Sequence, residues 1–262
     1  MPTEPTRPTE ATRPTEPTST ARLAGVVVRS TDLHRDTAVY TAITGTAPAT
    51  TPPDCAVFAI GDAQLTLLPS DDGRRGIERF VIEVAELGAT HDELRSTGAD
   101  AKRNGDCLQI DRTWAGVHVE LRALTAEQGR SNQPAGAKLD HVAILVADTE
   151  LMARRWSAIV GAPPAHAGVH PLGTTMAARF MLGDRMIEVL APLPDTPSPL
   201  RTRLEKVGDG PFALAIIAND LDATTTAVSN SGARLLDQPP HVVVHPSDAS
   251  GVPIQLTPRV NH

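Results

Sequence analysis

The fold is decided by two stretches that read as copies of each other: GVVVRSTDLHRDTAVYTAITGTAP, Gly25 to Pro48, and HVAILVADTELMARRWSAIVGAPP, His141 to Pro164. Aligned without a gap, Val26 meets Val142, Asp32 meets Asp148, Ile43 meets Ile159, Gly45 meets Gly161 and Pro48 meets Pro164. Each stretch opens with an apolar run rich in β-branched residues. A helix-capping polar residue follows, then a segment of helix length that stops at glycine. The spacing predicts helices over Asp32–Thr44 and Asp148–Val160, opened by a Thr or Asp cap and closed at Gly45 and Gly161.

The repeat extends outward. FAIGDAQLTLL, Phe58 to Leu68, matches FMLGDRMIEVL, Phe180 to Leu190. ELGATHDELRSTGAD, Glu86 to Asp100, pairs with DLDATTTAVSNSGAR, Asp220 to Arg234. GVHVEL, Gly116 to Leu121, pairs with GVPIQL, Gly251 to Leu256. Self-similarity at this scale means one structural unit used twice. The units fall at residues 22–124 and 138–262, joined by a linker at 125–137. Inside each copy the plan strand, helix, two or three strands occurs twice, because the runs GVVV, RFVIEV, HVAILV and ALAIIA each precede a helical segment. Residues 1–21, built on PTEPTR, PTEATR and PTEPTS, hold too much proline and too little apolar side chain for a core, and are expected to be disordered.

Bulk properties exclude several classes. The net charge is -7, with no basic stripe, which argues against a nucleic-acid partner. The two cysteines, Cys55 and Cys107, make neither a disulfide framework nor a zinc motif and are expected as reduced, partly buried thiols. No apolar run approaches the roughly 18 residues that span a membrane, and no secretory signal opens the chain, so a cytoplasmic location is expected. P-loop, dinucleotide-fingerprint and GxSxG motifs are missing from the sequence.

Three segments of the second copy, LDHVAILVAD (139–148), IEVLAPLPDTPSPL (187–200) and HPSDASGVPIQL (245–256), resemble methylmalonyl-CoA epimerase. With the paired module plan, the chain resembles a tandem member of the vicinal-oxygen-chelate superfamily, which includes glyoxalases, bleomycin-binding proteins and extradiol dioxygenases. The implied fold class is α+β: two tandem domains of paired βαβββ modules. The resemblance implies a divalent cation (cobalt, nickel, manganese, zinc or magnesium) in a sheet cleft, held at four positions. In the second copy these are His141, Glu188, Ala213 and Gln255; in the first, Gly25, Thr66, Arg79 and Glu120. Ala213 cannot ligate and Gln255 offers a neutral amide oxygen, so the metal set reduces to His141, Glu188 and Gln255, or no metal binds. In the first copy Arg79 and Glu120 are expected to form an ion pair where the metal would sit, leaving that domain structural or regulatory.

Alternation places His141, Ala143 and Leu145 on one strand face and Glu188 opposite Ile187 and Val189. A carboxylate buried there needs a cation or a donor, and a histidine across from it would serve without metal. His166 and His170 are candidates for completing a metal set or acting as a base, against solvated loop histidines. His245 is expected to be structural, and Trp156 and Tyr40 to be core. His241 is a further candidate, and Glu78 and Glu83 are ordinary strand-face charges. No catalytic residue is named by the sequence.

Three functional classes follow. One is a metal-dependent isomerase, epimerase or lyase that acts on a small carbonyl compound or acyl thioester through an enolate. Another is a metal-free small-molecule binding or resistance protein with vestigial metal sites. The last is an interaction protein working through its N-terminal tail. The partner in the first two is a small molecule, and a homodimer is compatible with all three.

Overall fold

The computed structural model describes residues 20–50, 53–124, 136–171, 173–238 and 241–259. The expected tail and linker lie outside these residues except at Thr20, Ala21, Gly136 and Ala137. The first half runs β1 (Arg22–Ser30), α1 (Leu33–Thr44), β2 (Ala56–Ile60), β3 (Ala63–Pro69), β4 (Gly76–Val84), α2 (Leu87–Ser96), β5 (Ala101–Asn104), β6 (Cys107–Ile110), the short α3 (Arg112–Ala115) and β7 (His118–Ala123). The second half runs β8 (Lys138–Leu145), α4 (Thr149–Val160), β9 (His166–Val169), β10 (Thr175–Leu182), β11 (Arg185–Pro192), α5 (Pro199–Val207), β12 (Gly210–Ala218), α6 (Leu221–Asn230), β13 (Leu235–Gln238), β14 (His241–Val244) and β15 (Ile254–Pro258).

The two predicted long helices form where their caps put them. The Asp32 carboxylate accepts the Arg35 N–H at 3.0 Å and that of Asp148 accepts the Leu151 N–H at 2.9 Å. Gly45 and Gly161 end the helices at φ 69° and 68°, a left-handed conformation that glycine adopts at least cost.

The strands make two sheets, ordered β2-β3-β1-β4-β7-β6-β5 and β13-β14-β15-β12-β8-β11-β10-β9. The module openers lie antiparallel at the centre of each sheet, β1 beside β4 and β8 beside β12. Each half therefore pairs two modules about a central seam, and the fold is the tandem arrangement of the vicinal-oxygen-chelate class. One face of every central strand is apolar and packs under helices. Val26, Val28, Phe80 and Ile82 of the first sheet and Val142, Ile144, Ile187 and Val189 of the second belong to one continuous buried core. Helix α1 packs on α6 and α2 on α4, so the helical layers of the two halves meet.

Polar contacts also cross between the halves. Buried Arg185 of β11 bonds Asp62, in the turn between β2 and β3, and the Leu23 carbonyl at 3.3 Å. The Tyr40 hydroxyl donates to the Ala249 carbonyl at 3.3 Å, and buried Asp36 accepts from Ser30, at 2.6 Å, and from Ser250. Asp248 accepts from Arg35 of α1 at 2.7 Å and from Arg234 Nε at 2.8 Å.

That last cluster carries a pH dependence. The Arg234 guanidinium, with its backbone N–H and with Arg35, holds the Asp248 carboxyl well below the usual carboxylate range. A depressed carboxylate stabilises the fold above its unfolded value, near ~3.9, and that contribution is lost as pH falls further. The urea midpoint of the wild type is expected to drop below about pH 4, and that of Asp248→Asn to start lower and change less. Parallel curves for the two proteins from pH 6 to pH 2 would contradict this.

The His245 ring nitrogen accepts the Ser247 N–H at 3.2 Å and caps the turn at Pro246–Asp248. Both cysteines are free and partly buried. No helix among the described residues is long and apolar enough to cross a membrane.

Candidate functional site

Strand register carries the four expected ligand positions of each half into two adjacent rows on the sheet face opposite the apolar, helix-packed one. In the first sheet one row reads Thr66, Val27, Arg79 and the next reads Gln64, Gly25, Val81, Glu120. In the second sheet the matching rows read Glu188, Ala143, Ala213 and Met186, His141, Ala215, Gln255. The repeat seen in sequence is thus a repeat of register.

The two faces differ in what stands over them. Between β3 and β4 the chain is the short loop 70–75. Between β11 and β12 it is the longer segment 193–209, which contains α5. Ser198 opens α5 by accepting the Leu200 N–H at 3.2 Å, with Pro199 at its first turn, where a missing N–H costs nothing. Leu200 and Leu204 of α5 then pack on Ala143, Leu145, Ala177 and Leu190, covering part of the second sheet's outer face. Among the described residues no counterpart covers the first, where a cleft of about 530 Å³ lies. The sequence reading puts the candidate metal set His141, Glu188 and Gln255 in the second half; the 530 Å³ cleft lies in the first.

Charge crosses the bottom of that cleft. Arg79 lies 3.3 Å from Glu120, the ion pair expected at this position. Arg122 adds a second guanidinium to the same carboxylate, at 2.7 Å from Nε. Glu120 is buried and Arg79 about one-third exposed, so the cation is the more accessible partner. The Arg79 Nε is buried without a hydrogen-bond partner. One carboxylate shared by two guanidinium groups leaves positive charge facing the cleft. Glu83, the expected strand-face charge, is buried and bonded to Arg22 at 2.6 Å, while Glu78 pairs with Arg29. A Cβ on Gly25 would sit 2.9 Å from the Gln64 carbonyl oxygen, so the position equivalent to His141 has no room for a side chain while β1 and β3 pair.

In the second sheet, Glu188 is buried and its partner is Arg179, directly across the β10–β11 ladder, with Nε at 2.7 Å. His170 reaches the same carboxylate at 3.7 Å. Burial pulls the His170 imidazole below its ordinary value, although Glu188 pulls it upward, and Arg179, His141 and His166 add to the lowering. His141 turns its Nδ1 to Asp140 at 2.8 Å. Gln255 stands two strands from His141, about 10 Å away at ~4.8 Å per strand. A divalent ion needs several converging oxygen or nitrogen donors. Glu188 is engaged by a guanidinium, Ala213 has no donor, and among the described residues no three His, Cys, Asp or Glu side chains group as a metal site. As arranged here, these residues do not fit the ion.

The residues missed by sequence reasoning are Arg179 and Arg122. Both were within reach. The two-residue turn Gly183-Asp184 makes residues equidistant from it partners, Arg179 with Glu188 among them, and Arg122 shares a strand face with Glu120 by alternation.

The fold is that of tandem vicinal-oxygen-chelate proteins. Residues 139–255 match the profile of the glyoxalase-like domain family. Among solved structures, a variant of 4-hydroxymandelate synthase from Streptomyces coelicolor superposes over 94% of this chain and 94% of its own, at a TM-score of 0.70 and 14% identity. Methylmalonyl-CoA epimerase from Mycobacterium tuberculosis matches 47% of this chain and 88% of its own, at 28% identity and a TM-score of 0.41. The Streptomyces coelicolor epimerase in complex with 2-nitronate-propionyl-CoA matches 47% and 94%, at 23% identity and a TM-score of 0.41. No curated protein matches the chain in sequence.

Proposed function

We propose that the protein binds a small anionic or carbonyl-bearing molecule in the first-sheet cleft, with a guanidinium in place of a metal ion. The observation that carries this reading is the Arg79–Glu120–Arg122 group beneath an open cavity. A guanidinium at the cation position supplies charge and a forked donor set to a carboxylate or carbonyl oxygen. The cavity falls in the usual range for small-molecule sites, roughly 300–1,000 Å³. On this reading the second half is a scaffold, its carboxylate neutralised by Arg179.

A second reading has a specific observation in its favour. His170, Glu188 and Arg179 bring a depressed imidazole, a carboxylate and a cation together. That set resembles the parts of an isomerase, epimerase or lyase working on a small carbonyl compound or acyl thioester. The metal-dependent form of this reading asks that His141, Glu188 and Gln255 hold a divalent ion, and hence that Arg179 leave Glu188.

One pair of variants separates them. Ligands found by thermal shift in a panel of small carboxylates and acyl thioesters are expected to bind Arg79→Gln at least about tenfold more weakly, a loss of ~1.4 kcal/mol, and His141→Ala as tightly as wild type. Elemental analysis is expected to find well under one divalent ion per chain after exposure to cobalt, nickel, manganese and zinc. One ion per chain, lost in His141→Ala, would sink the first reading and move assays to epimerisation.

A further inference from the structure

A second cavity, of about 340 Å³, lies where the two halves meet, and five arginines stand in its wall among apolar residues. Arg29, Arg74, Arg75 and Arg112 come from the first half and Arg203 from α5; the lining carboxylates are Glu78 and Asp209. In a chain of net charge -7 this is a local reversal of sign. Like charges gathered around a cavity repel, and a bound anion removes that cost.

The partners of these arginines are unequal. Arg29 is taken by Glu78, and Arg74 by Asp72 outside the cavity. Arg75 reaches only the Ser247 carbonyl, at 2.9 Å, and Arg112 only the Asp209 carbonyl, at 3.4 Å. Arg203 lies over the Phe212 ring, its guanidinium carbon 5.4 Å from the centroid. None of these three has a carboxylate partner among the described residues. Burial also pulls the Arg203 guanidinium below its ordinary value, so its charge is held at a cost. A carbonyl or a ring leaves most of the five guanidinium donors unused.

We propose that this cavity between the halves is a binding site for a phosphoryl anion, a diphosphate or a phosphate ester, gripped by Arg75, Arg112 and Arg203. Phosphoryl oxygens accept from several directions at once, and planar guanidinium forks match them in pairs. The volume is at the lower end for small-molecule sites, which suits a compact, highly charged group. Since both halves supply donors, the anion is expected to tie them together and raise the thermal midpoint. The site shares no residue with the Arg79 cleft and stands or falls independently of the function proposed there.

The test is calorimetric titration of the full chain with inorganic diphosphate, ADP and succinate, at low and moderate salt. One site per chain is expected for diphosphate or ADP, weakening as salt rises, with succinate at least tenfold weaker. Tighter ADP would identify a phosphate ester as the ligand, and tighter diphosphate a free anion. Arg203→Gln is expected to weaken binding at least tenfold, and Arg79→Gln to leave it unchanged. Arg75→Gln, exposed and with the Ser247 carbonyl as its side chain's one hydrogen-bond partner among the described residues, is the variant least able to disturb folding and should weaken it severalfold. The proposal is overturned if neither phosphoryl compound saturates, if succinate binds equally well, or if Arg203→Gln and Arg75→Gln both bind like wild type.

Discussion

Replacing Arg185 with alanine is expected to cost about 2–5 kcal/mol of folding free energy, the range for removing a large buried side chain together with its hydrogen bonds. Arg185 has no exposed surface, and it ties Asp62 and the Leu23 carbonyl of the first half to β11 of the second. Burial, with Arg22 nearby, pulls its guanidinium down to about 10, so it remains charged at neutral pH. The variant leaves Asp62 with Arg22 alone, at 3.0 Å, leaves the Leu23 carbonyl without this donor, and opens a void. Urea unfolding followed by circular dichroism measures the loss. A cost below about 1 kcal/mol, the size of a surface pair, would show that Arg185 is not held as described.

Trp156→Ala is expected to cost at least as much, about 3–5 kcal/mol for a large aromatic removed from a core. Trp156 is fully buried on α4 of the second half. Its ring meets Phe80 of the first half with centroids 6.4 Å apart, and its indole N–H donates to the Ala115 carbonyl at 3.1 Å. Trp156→Phe keeps most of the volume and removes that donor, so about 1–3 kcal/mol is expected. The order alanine worse than phenylalanine, and phenylalanine worse than wild type, is the result to look for in the unfolding midpoints. Equal midpoints for wild type and Trp156→Ala would mean the ring does not bridge the halves.

Much of this fold was legible because its signals are local. Asp32 with Gly45 and Asp148 with Gly161 mark helix ends within a few residues of chain, and alternation separates His141 and Glu188 from the apolar face of their strands. Helix α5 escaped, although Ser198-Pro199 and Gly208 are cap signals of the same kind, because the segment read only as part of a resemblance. That helix covers part of the second sheet's outer face. The Arg185–Asp62 contact joins residues 123 positions apart, and no local pattern carries such a pairing. A carboxylate at Glu188 needs a cation or a donor, and Arg179 meets that need from the neighbouring strand, a partner that the sequence reading does not name. Arg79 with Glu120 was legible because the family resemblance implies ligand positions in each copy, and in the first copy these fall on Arg79 and Glu120.

The continuous core has a consequence for how the molecule lives and fails. The halves share Phe80, Trp156, Tyr40 and the helices around them, so neither can open without stripping the other of its packing. A duplicated chain of this kind behaves as one cooperative foldon: hydrogen exchange in β1 and β8 should proceed through the same global opening. A harmful substitution in either half lowers the abundance of both.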